Sequence, residues 1–127
     1  MLKDPQLTAY STTIEIESNT ILSADCWKEA IRIFFDSITE ESKKDRDVMI
    51  GHIKGFVEFK DAGYCYYSNT GKNQYTEMKG NASGKTNQGT LHLNVLIYGL
   101  GKEKVNRIVM QAIGIINENL NASCNIM

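Results

Sequence analysis

The sequence is poor in residues that break or crosslink a chain, with one proline and three cysteines in 127 residues. A single proline and the lack of any biased tract argue against a disordered, low-complexity segment. Small secreted scaffolds carry an even, dense set of cysteines. Cys26, Cys65 and Cys124 are instead odd in number and lie far apart along the chain. This pattern predicts a protein of a reducing compartment.

Long apolar runs and an excess of one charge are also missing. No run approaches the roughly 20 apolar residues that span a bilayer, and Met1–Gln6 contains no apolar core of a signal peptide. We therefore expect a cytoplasmic protein that makes no membrane contact. The 14 basic and 15 acidic residues give a net charge of −1, whereas nucleic-acid-binding domains usually show a basic excess. Nucleic acid is thus disfavoured as a partner.

What is present is the composition of an ordinary globular protein, with 42% hydrophobic and 23% charged residues. A chain of this length usually forms one domain and buries a core without crosslinks. We expect a single domain over residues 1–127, with residues 1–10 and 121–127 as frayed termini.

Two segments place apolar residues at the spacing of an amphipathic helix. The first helix is predicted over residues 24–41, after Ser23 as the N-cap. The second is predicted over residues 102–120. Their apolar stripes are Trp27, Ala30, Ile31, Phe34 and Ile38 in the first helix, and Val105, Ile108, Val109, Ala112, Ile113, Ile116 and Leu120 in the second. We expect Phe34 and Ile113 to be buried against a sheet.

Five further segments have the alternation, or the β-branched and aromatic content, of strands. They cover residues 12–17, 49–60, 64–68, 75–82 and 90–98. Short turns, such as 61–63 and 69–73, separate the strands after the first helix and predict an antiparallel meander. The order β-α-β-β-β-β-α indicates an α+β fold. It should have a five-stranded, mostly antiparallel sheet with both amphipathic helices packed on one face.

Two glycine-containing motifs resemble nucleotide-binding loops but lack essential features. Gly80–Thr86 approaches a P-loop, yet it is one residue short of the required spacing and precedes a strand rather than a helix. Gly99–Gly101 lies between a strand and a helix but lacks the third glycine of the dinucleotide fingerprint. We interpret the first motif as a hairpin tip and the second as a tight turn that needs a positive φ.

Residues suited to catalysis or metal binding are sparse. His52 and His92 are the only histidines, and their parity places them on one face of the predicted sheet. No cysteine or histidine pair has the spacing of zinc ligands. Cys26 is interpreted as a small packed residue, because no partner base is evident for a reactive thiol. We predict no catalytic residue, metal or cofactor, which favours a non-catalytic protein while leaving an enzyme open.

Strand alternation distinguishes the two faces of the predicted sheet. Aliphatic positions such as Ile53, Val57, Leu93 and Val95 should face the helices. The opposite face then mixes large apolar and polar groups, and a face of this kind usually contacts a partner. The predicted partner-binding residues are His52, Phe56, His92, Asn94, Leu96 and Tyr98. They predict a homo-oligomer or a complex with another protein, with a solvated face as the alternative. The facing of the tyrosines on the intervening strands stays open.

A second surface is predicted at one end of the sheet, where three connections meet beside the N-terminus of the second helix. Basic residues gather there, and their charge and the helix dipole both favour an anion. The candidate anion-binding residues are Arg46, Lys72, Gly99, Gly101 and Lys102. The alternative function is therefore a small-molecule or anion-binding protein, or a small enzyme. Its pocket would lie at this end or near His52, Lys54 and His92, unless the loop lysines are merely solvated.

Overall fold

The computed structural model describes residues 6–72 and 75–127. It confirms an α+β fold in which an antiparallel sheet is combined with two helices. The elements in chain order are β1 (Leu7–Ser23), α1 (Ala24–Lys43), β2 (Met49–Phe59), β3 (Gly63–Asn69), β4 (Glu77–Gly80), β5 (Lys85–Tyr98), α2 (Lys102–Leu120) and β6 (Ala122–Ile126).

The sheet has six strands rather than the predicted five, and all its neighbouring pairs are antiparallel. The additional strand, β6, pairs with β1 from Ile14 opposite Ile126 to Ser18 opposite Ala122. β1 itself begins at Leu7. Both segments lie in the stretches that were expected to fray, so that expectation is wrong for residues 7–10 and 122–126, whose backbones join the sheet. Residues 1–5 lie outside the described residues.

The strand order, β4-β3-β2-β5-β1-β6, departs from a simple meander. The strands β2, β3 and β4 follow one another, but β5 then pairs with β2, so that His92 lies opposite Phe56. Burial explains this order. One side of β5 is almost fully buried, with Leu93 at 1% exposure, whereas β4 is exposed throughout. A central position covers the apolar strand and leaves the short exposed one at an edge. Asn73, in the predicted turn before β4, lies outside the described residues.

The two helices lie side by side on one face of the sheet, as predicted. α1 packs over β2 and β3, and α2 packs over β1 and β6. Ser23 caps α1 by accepting a hydrogen bond from the backbone N–H of Cys26 at 3.2 Å. Trp27 and Phe34 are fully buried and Ile113 is 5% exposed. The predicted burial of Phe34 and Ile113 is therefore confirmed, and the apolar stripes of both helices form the core.

A polar cluster joins α1 to the segment that leads into β4. The carboxylate of Asp36 accepts hydrogen bonds from the backbone N–H and the hydroxyl of Thr76, at 3.2 and 2.5 Å. Asn69 donates to the same hydroxyl oxygen at 3.2 Å. Arg32 forms ion pairs with Asp36 and Glu29, and its hydrogen bond lowers the pKa of the Glu29 carboxyl. The cluster fixes Thr76, just before β4, on the helical side of the sheet.

Candidate interaction surface

The face of the sheet opposite the helices carries a continuous set of side chains from four strands. The register aligns Tyr66 of β3, Phe56 of β2, His92 of β5 and Thr13 of β1 in one row across the strands. We call these four residues the central row. The open face is defined as the outward residues of the same four strands. They are the even positions 52–58 of β2, 64–68 of β3 and 88–98 of β5, the odd positions 7–17 of β1, and Met49, which a register shift after Ile50 turns outward.

Aromatic side chains cluster at the central row. Phe56 contacts Tyr66 and Tyr64 with ring centroids 4.7 and 5.8 Å apart, and its ring stacks on that of His92 at 6.2 Å. Tyr66 is 54% exposed and Tyr64 is 39% exposed. Aromatic rings that cover one another in this way still leave large apolar surfaces in water, and such patches commonly mark contact sites.

A second apolar region lies towards the C-terminal end of β5. Leu96 is half-buried, and the register places it between His52 of β2 and Ala9 of β1. Tyr98 is half-buried between Met49 and Leu7, which are 60% and 45% exposed. The apolar surface of the open face therefore extends well beyond the aromatic cluster.

Charged and polar rows flank the central row on either side. Lys54, Asn94 and Ser11 lie in one row, and the Ser11 hydroxyl donates to the Asn94 side-chain oxygen at 2.5 Å. The other row contains Glu58 and Glu15. The two rows carry opposite charges at equal distances from the aromatic cluster.

The six residues predicted to bind a partner all lie on the open face. His52, Phe56, His92, Asn94, Leu96 and Tyr98 occupy even positions of β2 and β5, and the register brings these positions to one side. Tyr64 and Tyr66 were missed because their facing was open from sequence. The tight turn that ends at Gly63 pairs Phe59 with Gly63, and this register places both tyrosines beside Phe56. The hairpin turn was the one sequence signal that could have found them.

The histidines do not converge into a site. His52 lies opposite Leu96 and His92 lies opposite Phe56, so four register positions, or roughly 13 Å, separate them along the sheet. A shallow depression of 400 Å³ beside His92 is also lined by Ser11, Asn94 and Met127, but not by His52 or Lys54. In the range 6–72 and 75–127, no three His, Cys, Asp or Glu side chains are grouped to hold a metal ion.

The three cysteines occupy different environments. Cys26 is exposed, Cys65 is buried and Cys124 is half-buried, and all three are free thiols. Burial raises the pKa of Cys65, and it raises the pKa of Cys124 to about 11. These two thiols are therefore protonated at neutral pH, a state in which a thiol is a poor nucleophile.

The basic end of the sheet is less basic than the sequence suggested. A depression of 460 Å³ is lined by Lys44, Arg46 and Lys104 but also by three carboxylates, those of Glu41, Asp45 and Asp47. The Lys44 ammonium lies 2.8 Å from the Glu41 carboxylate. The acidic groups offset much of the positive charge that an anion would need.

The other candidate anion-binding residues are spread around this end. Lys72 and Lys102 are exposed and do not line the depression among the residues described. Gly99 has φ 97°, as expected for a tight turn, and a Cβ there would lie 2.7 Å from the backbone oxygen of Asp47. Gly101 has φ −73° and serves as the N-cap of α2, so the predicted positive φ holds for Gly99 alone.

No protein-family model matches the chain, and neither a curated protein nor a solved structure shows significant similarity to it. Across the two described ranges, neither helix is both long and apolar enough to cross a membrane. The fold and the open face define an α+β domain with one helix-covered and one uncovered sheet face. The function is therefore argued from that surface.

Proposed function

We propose that the chain is a non-catalytic binding domain that contacts a protein, either a second copy or a different chain, through the open face. The observation that carries this proposal is the exposed aromatic cluster around Phe56 on the side of the sheet away from both helices. Removing apolar surface from water contributes about 25 cal/mol per Å². A protein partner that covered these rings and the Leu96 region would gain that contribution.

The dimensions of the open face suit a specific interface. Four strands and the nine residues from Gln88 to Leu96, which are centred on His92, give a patch of roughly 19 by 26 Å. Two such patches in contact remove roughly 1,000 Å² of surface from water, which is the lower limit for a specific protein interface. Aromatic groups within a polar surround also match the usual composition of such contacts.

Replacing Leu96 by glutamate tests the proposal. The substitution places a charge within the apolar part of the open face without touching the helix-facing core. We expect the Leu96→Glu variant to fold normally and to weaken association at least about tenfold, because a buried unpaired carboxylate is costly. Light scattering measures self-association, and affinity capture with the wild-type chain as bait identifies any other partner.

Met110→Glu is the matched control, because Met110 is an exposed apolar residue of α2, on the helical layer. It should leave association unchanged. The proposal fails if the wild type and the Leu96→Glu variant have the same mass in solution and capture the same partners.

The second candidate function is binding of a small anion at the basic end. The depression beside Arg46 and Lys104 favours it, since three basic side chains line one concave surface there. Calorimetry with inorganic phosphate tests this candidate. We expect any binding to be weaker than about 1 mM, since three carboxylates share the site. Micromolar affinity that is lost in the Arg46→Ala variant would place this function ahead of protein binding.

A further inference from the structure

We propose that the partner on the open face is a second copy of this chain, related to the first by a two-fold axis that runs along the central row. This inference rests on the proposed function and adds the identity of the partner and the geometry of the contact. It is carried by the arrangement of charges around Phe56, which is self-complementary for one orientation of the two copies and repulsive for the other.

The flanking rows differ in charge. On β2, Lys54 lies two positions before Phe56 and Glu58 lies two positions after it, and all three side chains point to the open face. Both charged residues are exposed. Within the described residues, Lys54 has no carboxylate in salt-bridge range, and Glu58 has only the His92 ring, 3.9 Å away. A contact on this face must therefore accommodate one positive and one negative group on the same strand.

A two-fold axis along the central row gives each of these groups an opposite charge. The rotation lays β2 on β2 of the other copy with the chain direction reversed. Lys54 then meets the partner's Glu58, and Glu58 meets the partner's Lys54. Each dimer contains this charge pair twice, as an isologous interface requires. Phe56 lies on the axis and packs against its own copy, so the aromatic cluster forms the centre of the contact.

An in-plane axis perpendicular to the central row is disfavoured by the same residues. An axis along β2 would lay Lys54 on the partner's Lys54 and Glu58 on the partner's Glu58. Like charges placed directly opposite one another are repulsive and suppress that arrangement. The charge pattern thus selects the axis across the strands.

The remaining residues of the flanking rows are compatible with the selected axis. It places Thr90 opposite the partner's Asn94, whose side-chain N–H can donate to the Thr90 hydroxyl. Glu15 lies opposite the partner's Ser11, a neutral side chain, so no like charges meet there. Sheets that pack face to face are rotated by about 30°. The flanking rows lie only roughly 7 Å from the axis, so that rotation keeps the paired side chains within reach.

Charge reversal on β2 tests the axis. We expect Lys54→Glu and Glu58→Lys each to raise the dimer dissociation constant at least about tenfold, because each single change creates like-charged pairs. The double variant K54E/E58K should return to within about threefold of the wild-type constant, since it exchanges the two charges and keeps every pair. An equimolar mixture of the two single variants should form a heterodimer. Sedimentation velocity over a concentration series measures all of these species.

Arg107→Glu is the control for net charge, because Arg107 is exposed on α2 and lies outside both candidate sites. It should leave the dissociation constant unchanged. Thermal unfolding verifies that each variant is folded, as expected for substitutions at exposed positions.

The outcomes separate this inference from the proposed function. A wild type that stays monomeric up to about 100 µM overturns the second copy as partner, while capture of another protein that is lost in Leu96→Glu would keep the proposed function. If the wild type is a dimer that Leu96→Glu dissociates but the single charge reversals do not, the axis is overturned and the interface stands. If none of these variants changes a wild-type dimer, both the axis and the open-face contact are wrong.

Discussion

Replacing Phe34 by alanine is expected to destabilise the fold by about 3–5 kcal/mol. Phe34 is fully buried, and its ring meets that of Phe35 edge to face at 5.5 Å. Truncation removes the buried ring and leaves a cavity in the core beside α1, which the neighbouring elements fill only in part. Urea unfolding followed by circular dichroism should show a lower midpoint with an unchanged slope.

The other helix, α2, provides a second core substitution and a surface control. Ile113→Ala should cost about 2–5 kcal/mol, because Ile113 is buried in the stripe of α2. Met110 lies on the same helix but is 45% exposed, so Met110→Ala should change stability by less than about 0.5 kcal/mol. An unchanged urea midpoint for Phe34→Ala would mean that the core-facing side of α1 is assigned wrongly.

Replacing Gly55 by leucine is expected to cost about 3 kcal/mol or more, since added carbons in a filled core force its side chains out of their preferred positions. A Cβ at Gly55 would lie 2.4 Å from the ring of Phe35, which is fully buried and stacked on Tyr67 at 5.2 Å. The Tyr67 hydroxyl in turn donates to the backbone oxygen of Lys28 at 2.9 Å. The stacked rings of Phe35 and Tyr67 are therefore held in place and cannot move aside for a side chain at Gly55.

The opposing effects at Gly55 are smaller than this steric cost. Any residue other than glycine restricts the unfolded chain and gains about 0.4–1 kcal/mol. The same change at Gly114 is the matched control, because nothing lies within 4 Å of a Cβ there and the position is exposed on α2. Gly114→Leu should stabilise the fold by about 0.5–1 kcal/mol. Equal stability of the two variants in urea would show that the core beneath Gly55 has room for a side chain.

Much of the candidate interaction surface was predictable because side-chain alternation is a local property of a strand. Once Leu91, Leu93 and Val95 are assigned to the core, His92, Asn94 and Leu96 must point the other way, as they do in the structure. The same reasoning could not place Tyr64 and Tyr66, because the mixed sequence of β3 has no clear apolar side. Their position beside Phe56 follows from the register with β2.

The candidate anion-binding surface is less predictable, because its charge depends on residues from separate segments. The strand order predicted from the sequence placed the segments around Arg46 and Lys104 at one end of the sheet, and in the structure both line one depression. It did not show that Asp45 and Asp47 line the same depression as Glu41 at the end of α1, because loop side chains follow no periodicity that fixes their direction. The net charge at such a surface depends on which side chains come together in space, and the order of residues along the chain does not determine this.

The sequence by itself determined the two helices, their buried stripes and the inward and outward positions of β2 and β5, since these depend on residues three or four apart in a helix and two apart in a strand. Only the tertiary structure decided the strand order, the pairing of β6 with β1 and the polar cluster of Asp36 and Thr76. Those features join residues that are distant in the chain, so local sequence patterns do not reveal them. They form because this arrangement buries β5 and at the same time pairs the backbone hydrogen-bonding groups.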